Sequence, residues 1–228
     1  MVKKIDCFIP CRKNGDFLKN LNFLEIDDIK LVEHTIRVSI NSKLFRNIYL
    51  LTNDKTSFEK LKKKYNTLKV VYTKITREPF YKIIEKLDIN KYFNEDIDIC
   101  VLLPNYPFKT YQTIKKIYKT YKMKKLKFMA TAKKEFFFYY SKKKNNYVSI
   151  NFSSKIRSRK KIAPIYKLSG GIFFYNSNKK NLDLNKINFK NLYFIDDHEA
   201  FGIYSLYDFI TANSLFDIDP SILITMSH

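Results

Sequence analysis

The sequence predicts a doubly wound, Rossmann-like α/β fold that carries a small antiparallel β insert, as a single domain over residues 1–228. Three observations predict it. Short apolar runs alternate with helical stripes up to about residue 132, the pattern of a parallel sheet covered by helices. The run DICVLL (98–103) is almost continuously apolar, as suits a strand covered on both faces. After about residue 133 the rhythm changes to closely spaced β-rich segments, which sets the insert at 133–168.

The elements follow in order. KIDCFIP (4–10) is apolar enough for a buried strand and stops at Pro10. Residues 26–45 space Val32, Ile36 and Ile40 four apart, one face of a helix. NIYLLT (47–52) is a strand, and 54–65 is a helix with Phe58, Leu61 and Tyr65 on one stripe. LKVVYT (68–73) is the next strand, and EPFYKIIEKL (78–87) opens a helix with Pro79 in its first turn. Beyond strand 98–103, residues 110–123 turn Ile114, Ile117, Tyr118 and Tyr121 inward, and KFMATA (127–132) is a strand. EFFFYY (135–140), NYVSINF (146–152) and GGIFFYN (170–176) are β-rich, with the basic loop SSKIRSRKK (153–161) between the last two. SLYDFITANSLF (205–216) is a closing helix.

Hydrophobic residues at 45%, of which the aromatics alone make 16% of the chain, mark a folded chain and not a disordered one. The net charge of +21 points toward anionic ligands, but only six of the 43 basic residues are arginine. Lys, Asn, Ile, Phe and Tyr are abundant together while Gly and Pro are scarce and Trp is absent, as biased base composition would produce. Nucleic acid is therefore not the expected partner. Cys7, Cys11 and Cys100 have no metal-ligand spacing and read as reduced, buried thiols of a cytoplasmic protein. MVKK and the short apolar run after it do not make a signal peptide, and no stretch is long enough to span a membrane. His34 reads as a packing residue of its helix, and His198 as an exposed one.

Ligands of open α/β sheets bind beyond the carboxyl ends of the strands. Residues 10–20 and 104–109 take that position, and CRKNGDFLKN crowds cations, an amide and a glycine into it. Free backbone N–H groups beside Arg and Lys suit a phosphate-bearing ligand.

Five segments then fall in the order of one family. IPCRKNGDFLKN is similar to the signature IPARGGSKGIPRKN, and LVEHTIRVSINSKLFRNIYLLTND to PLIAHTIEAALNSGLFDRVIVSTDD. VLLPNYPFKT resembles VLLQPTSPLRT, RKKIAPIYKLSGGIFFYN resembles RQDLPPVYVENGAIYI, and EAFGIYSLYDF resembles EAIDIDTPEDL. These are motifs of the acylneuraminate cytidylyltransferases, the CMP-sialic acid synthetase family. The resemblance implies a nucleotidyltransferase that moves CMP from CTP to the anomeric hydroxyl of an acidic keto-sugar, a nonulosonic acid or relative, releasing pyrophosphate with Mg²⁺. It implies a role in polysaccharide biosynthesis and a homodimer formed through the 133–168 insert. It casts Arg12 and Lys19 as the catalytic groups on the CTP phosphates, with Asn20, Asn105 and Lys109 on the nucleotide. Arg157 and Arg159 would take the sugar carboxylate.

The departures carry equal weight. The signature's Gly-Gly-Ser-Lys is Lys13, Asn14, Gly15 and Asp16 in a shorter loop, so backbone approach to phosphate is reduced. Two aspartates that serve as the family's metal ligands align with Gly202 and Tyr204, neither of which offers a carboxylate; only Asp208 survives. Asp196 and Asp197 are the substitute metal ligands the sequence offers, and Glu199 stands beside them. The alternative reading is a non-catalytic or substrate-changed relative that keeps the fold.

Overall fold

The computed structural model describes residues 5–13, 18–72, 97–153, 155, 158, 161–176 and 187–218. Its frame is a seven-stranded sheet in the order β11-β7-β10-β6-β1-β4-β5. The strands are β1 (Ile5–Pro10), β4 (Asn47–Thr52), β5 (Leu68–Tyr72), β6 (Asp98–Leu102), β7 (Phe128–Glu135), β10 (Ile165–Asn176) and β11 (Leu192–Phe194). β1 runs parallel to both β4 and β6, β4 to β5, and β7 to β11, while β10 is antiparallel to β6 and β7. The result is a mostly parallel, Rossmann-like α/β sheet with one reversed strand in its interior.

Strand alternation sorts the core into two layers. Cys7, Ile9, Cys100 and Leu102 face a large cluster fed by every helix described, α1 (Leu31–Asn41), α2 (Lys55–Lys64), α3 (Tyr111–Met123) and α4 (Leu206–Ile218). Phe8, Tyr49, Ile99, Val101 and Phe173 form a second cluster on the other face, where Phe8 and Tyr49 stack with ring centroids 5.0 Å apart. Every residue of β6 is buried, as its apolar run requires. The helix expected at 78–87 lies outside the described residues.

Two buried carboxylates fix the amino ends of the central strands. Asp6 accepts from Arg46 at 3.1 and 3.0 Å and from Asn47, and Asp98 accepts from Tyr121, Lys122 and Asn176. Charge at that end is neutralised internally. The opposite, carboxyl end carries the loops that matter for ligands.

Three expectations change. The helix expected from residue 26 starts at Leu31, because Asp27 and Asp28 both have positive φ and close a small hairpin of β2 (Glu25–Ile26) and β3 (Ile29–Lys30). The expected insert does not stay apart from the main sheet, because its last residues run into β10, an interior strand that also contains GGIFFYN. EFFFYY is not a strand: β7 ends at Glu135, where its pairing with Ile165 of β10 ends, and the three phenylalanines that follow lie 44–50% exposed. What stands apart from the sheet is the hairpin of β8 (Tyr140–Lys143) and β9 (Asn146–Ser149), and residues 165–167 of the expected insert continue the central ladder opposite 133–135.

Candidate functional site

Three loops meet at the carboxyl ends of β1, β4 and β6. The first leaves β1, where the Cys11 amide donates to the Leu51 carbonyl at 2.7 Å. The Lys13 amide donates to Asn53 Oδ1 at 3.1 Å, and the Lys13 ammonium pairs with Asp54 at 3.4 Å. Asn22 Nδ2 holds the carbonyl of half-buried Arg12 at 2.8 Å. The backbone of residues 11–13 is thus tied at three points, which is how a sequence without the usual glycines positions a cationic loop. Lys19 and Asn20 are exposed, and Asn20 sits in the left-handed region at φ 56, its carbonyl accepting from Phe23 to start a short 3₁₀ turn.

The second loop, 103–110, leaves β6. Leu103 donates to the Gly171 carbonyl, and the Asn105 carbonyl accepts from the Ile203 amide, each at 2.8 Å. Thr110 caps α3 by accepting from the Thr113 amide, and its hydroxyl donates to Glu199 at 3.0 Å. That bond ties the third loop, 195–205, to the second. Thr110→Ala removes the cap and the tie together and should cost about 1–2 kcal/mol in chemical denaturation; an unchanged midpoint would rule out the cap as a stabilising element.

Lys109 stands elsewhere than its expected role requires. Instead of meeting a nucleotide edge it is 1% exposed, with its ammonium donating to Thr35 Oγ1 and to the Tyr106 carbonyl. Burial pushes its pKa from 10.5 down to about 7, against the opposing pull of Cys7, Glu199 and Cys100. It braces the second loop against α1. His34 is a satisfied packing residue as expected, on the Ile26 carbonyl at 3.1 Å, and burial lowers its pKa to about 4. His198, expected exposed, packs on Phe108 at 4.4 Å.

Asp196 and Asp197 do not converge. Asp196 Oδ1 accepts from the Glu199 amide at 2.9 Å, and Asp197 is 86% exposed and paired with Lys133. Burial raises the pKa of Glu199. Among the described residues no group of three His, Cys, Asp or Glu side chains is placed to hold a metal ion. Gly15, Asp16, Arg157 and Arg159 lie outside the described residues.

The feature that sequence reasoning missed is aromatic. Tyr106, 4% exposed, hydrogen-bonds hydroxyl to hydroxyl with Tyr204, their rings edge-on at 6.1 Å. Burial pushes the Tyr106 phenol well up, and the Tyr204 bond adds to this. The ring is framed by Gly171 and Gly202, where an added Cβ would lie 2.6 and 2.7 Å from it. Glycine scarcity was the available signal: three of the four glycines in the chain are Gly170, Gly171 and Gly202.

No protein-family model matches the sequence, and no curated protein matches it. Solved structures do match in fold. A CMP:2-keto-3-deoxy-manno-octonic acid synthetase complexed with CTP aligns at a TM-score of 0.66 and 11% identity, over 94% of this chain and 99% of that one. A 4-diphosphocytidyl-2C-methyl-D-erythritol synthase aligns at 0.68 and 12% identity, with the same coverage of each chain. The corresponding synthase of Anaerococcus prevotii aligns at 0.64 and 16% identity, over 94% and 96%. At these identities the likeness concerns the fold alone.

Proposed function

We propose that this chain binds CTP at the carboxyl ends of β1, β4 and β6 and belongs to the cytidylyl-transfer proteins. The observation that carries the reading is the tied loop after β1, which presents Arg12 between Cys11, held by Leu51, and Lys13, held by Asn53, with the Arg12 carbonyl held by Asn22. Support comes from a shared fold with a synthetase solved with CTP. In this reading Arg12 and Lys19 hold the phosphates, and Asn20 and Asn105 meet the nucleoside. The acceptor is an acidic keto-sugar whose anomeric hydroxyl attacks the α-phosphorus, breaking its bond to the departing pyrophosphate, with Arg157 and Arg159 on the sugar carboxylate. Phosphoryl chemistry of this kind depends on positioning and on charge stabilisation more than on covalent steps.

The hairpin β8–β9 and the residues flanking it, with Phe136, Phe137, Phe138, Tyr140 and Tyr147 exposed, are the surface we assign to a homodimer. Sedimentation of the full chain should give twice the monomer mass; a monomer at tens of micromolar would end that assignment. Among the described residues no helix is long and apolar enough to cross a membrane.

A second reading, nucleotide binding without transfer, is favoured by Gly202 and Tyr204 standing where carboxylates are expected. Calorimetric titration with CTP, ATP, GTP and UTP tests the shared premise, and selective CTP binding is the expected result. Arg12→Ala should weaken CTP roughly tenfold, the loss of about 1.5 kcal/mol for a charge-assisted hydrogen bond. Equal affinity in the variant would remove Arg12 from the phosphate site.

A further inference from the structure

Mg²⁺, which the resemblance implies, takes hard oxygen ligands in octahedral array. The described residues do not fit it. At position 202 there is no side chain, and an added Cβ would sit 2.7 Å from the Tyr106 ring, so the space beside that backbone is already filled by an aromatic carbon face. At position 204 a phenol stands where the resemblance expects a carboxylate ligand, and its hydroxyl is committed to the Tyr106 hydroxyl.

The nearby carboxylates among the described residues are also committed. Asp208 accepts from the Tyr204 and Ser205 amides at 2.9 and 2.8 Å and from the Ser205 hydroxyl, while Ser205 Oγ accepts from the Asp208 amide; together these form the capping box of α4. Glu199 is tied to Thr110, Asp196 to the Glu199 amide, Asp197 to Lys133 and Asp54 to Lys13. To gather a cation from the described carboxylates, this end of the sheet would have to give up a helix-cap bond, an ion pair or a loop-tying hydrogen bond for each ligand recruited.

We infer that the carboxyl-end site works without a divalent cation, because the Tyr106–Tyr204 pair, seated between Gly171 and Gly202, occupies the place of a carboxylate–metal pair. The charge of a bound anion is then met by the cationic side chains of the loop after β1. This deepens the CTP reading and rests on it for the identity of the anion.

The test has two arms on the full-length chain. In the first, Mn²⁺ is titrated with and without CTP, and free ion is read from its paramagnetic resonance signal. The chain should remove no Mn²⁺ beyond what CTP alone removes; a stoichiometric loss of signal on adding protein overturns the inference. In the second, CTP is titrated calorimetrically in Mg²⁺ and in EDTA. Affinities should agree to within about threefold, and tightening by Mg²⁺ of about tenfold or more overturns the inference while leaving the CTP reading intact. Failure of the CTP reading looks different: no heat in either buffer, with the Mn²⁺ arm still deciding the question of the cation.

Discussion

Raising the pH from 6 to 9 should stabilise the native chain relative to a Lys109→Met variant by roughly 2–3 kcal/mol. Lys109 is fully buried, and burial lowers its pKa from 10.5 to about 7. Below pH 7 folded and unfolded chains both carry the proton, so the cost of enclosing the charge is at its full value. Between about 7 and 10.5 the unfolded chain keeps the proton that the folded chain has released. The unfolded state then binds more protons, and stability rises with pH by up to about 1.4 kcal/mol per unit. Methionine fills similar volume without a charge, so it removes this dependence while keeping the packing. The comparison stops at pH 9, the ordinary thiol value, because burial pushes Cys11 and Cys100 upward and their linkage above it runs in the opposite direction. Urea unfolding of both proteins at several pH values reads the difference directly. A difference that stays flat across this range would mean that the lysine is hydrated or paired and does not brace the second loop as a desolvated base.

Lys109 also shows where sequence reasoning stops. A cation aligned with a family's arginine reads as a ligand contact, because sequence gives residue type and position along the loop but not depth. Here Phe108 and Lys109 both turn inward, and the ammonium finds Thr35 on α1, 74 residues away. The strands were legible for the opposite reason. β1, β4 and β6 are buried on both faces, and burial on both faces leaves continuous apolar runs that few other structures produce. The place of β10 between β6 and β7 was not legible, since a β-rich run identifies a strand and not its neighbours. The start of α1 was missed because Asp27 and Asp28 adopt positive φ, which apolar periodicity does not register. At the site, the cations of the loop after β1 were visible, while the ties that hold it come from Asn22 and Asn53, unremarkable residues in the chain. Tyr106 and Tyr204 lie 98 positions apart, and no local pattern joins them.

That aromatic pair supplies the other large expected effect. Gly171→Ala should destabilise the fold by about 2–4 kcal/mol, combining left-handed backbone strain with overpacking. Gly171 has φ +62, where a side chain is strained, and its Cβ would lie 2.6 Å from Tyr106 Cδ2 and 2.9 Å from Leu103 Cβ. Leu103 cannot easily retreat, because its amide is bonded to the Gly171 carbonyl at 2.8 Å. Tyr106 could move only by giving up its bond to Tyr204 or by pressing on Gly202 from the other side. Tyr106→Ala separates the contributions. Alone it leaves a cavity costing about 3–5 kcal/mol, less where the surroundings collapse. Combined with Gly171→Ala it removes the ring contact but not the backbone strain or the Leu103 contact. The double variant should therefore be more stable than the sum of the single variants by about 1–2 kcal/mol, a coupling that thermal or urea unfolding of the three proteins would read. Strict additivity would mean that the ring is not held between the two glycines, and the structural reason for excluding a cation from this site would fall with it.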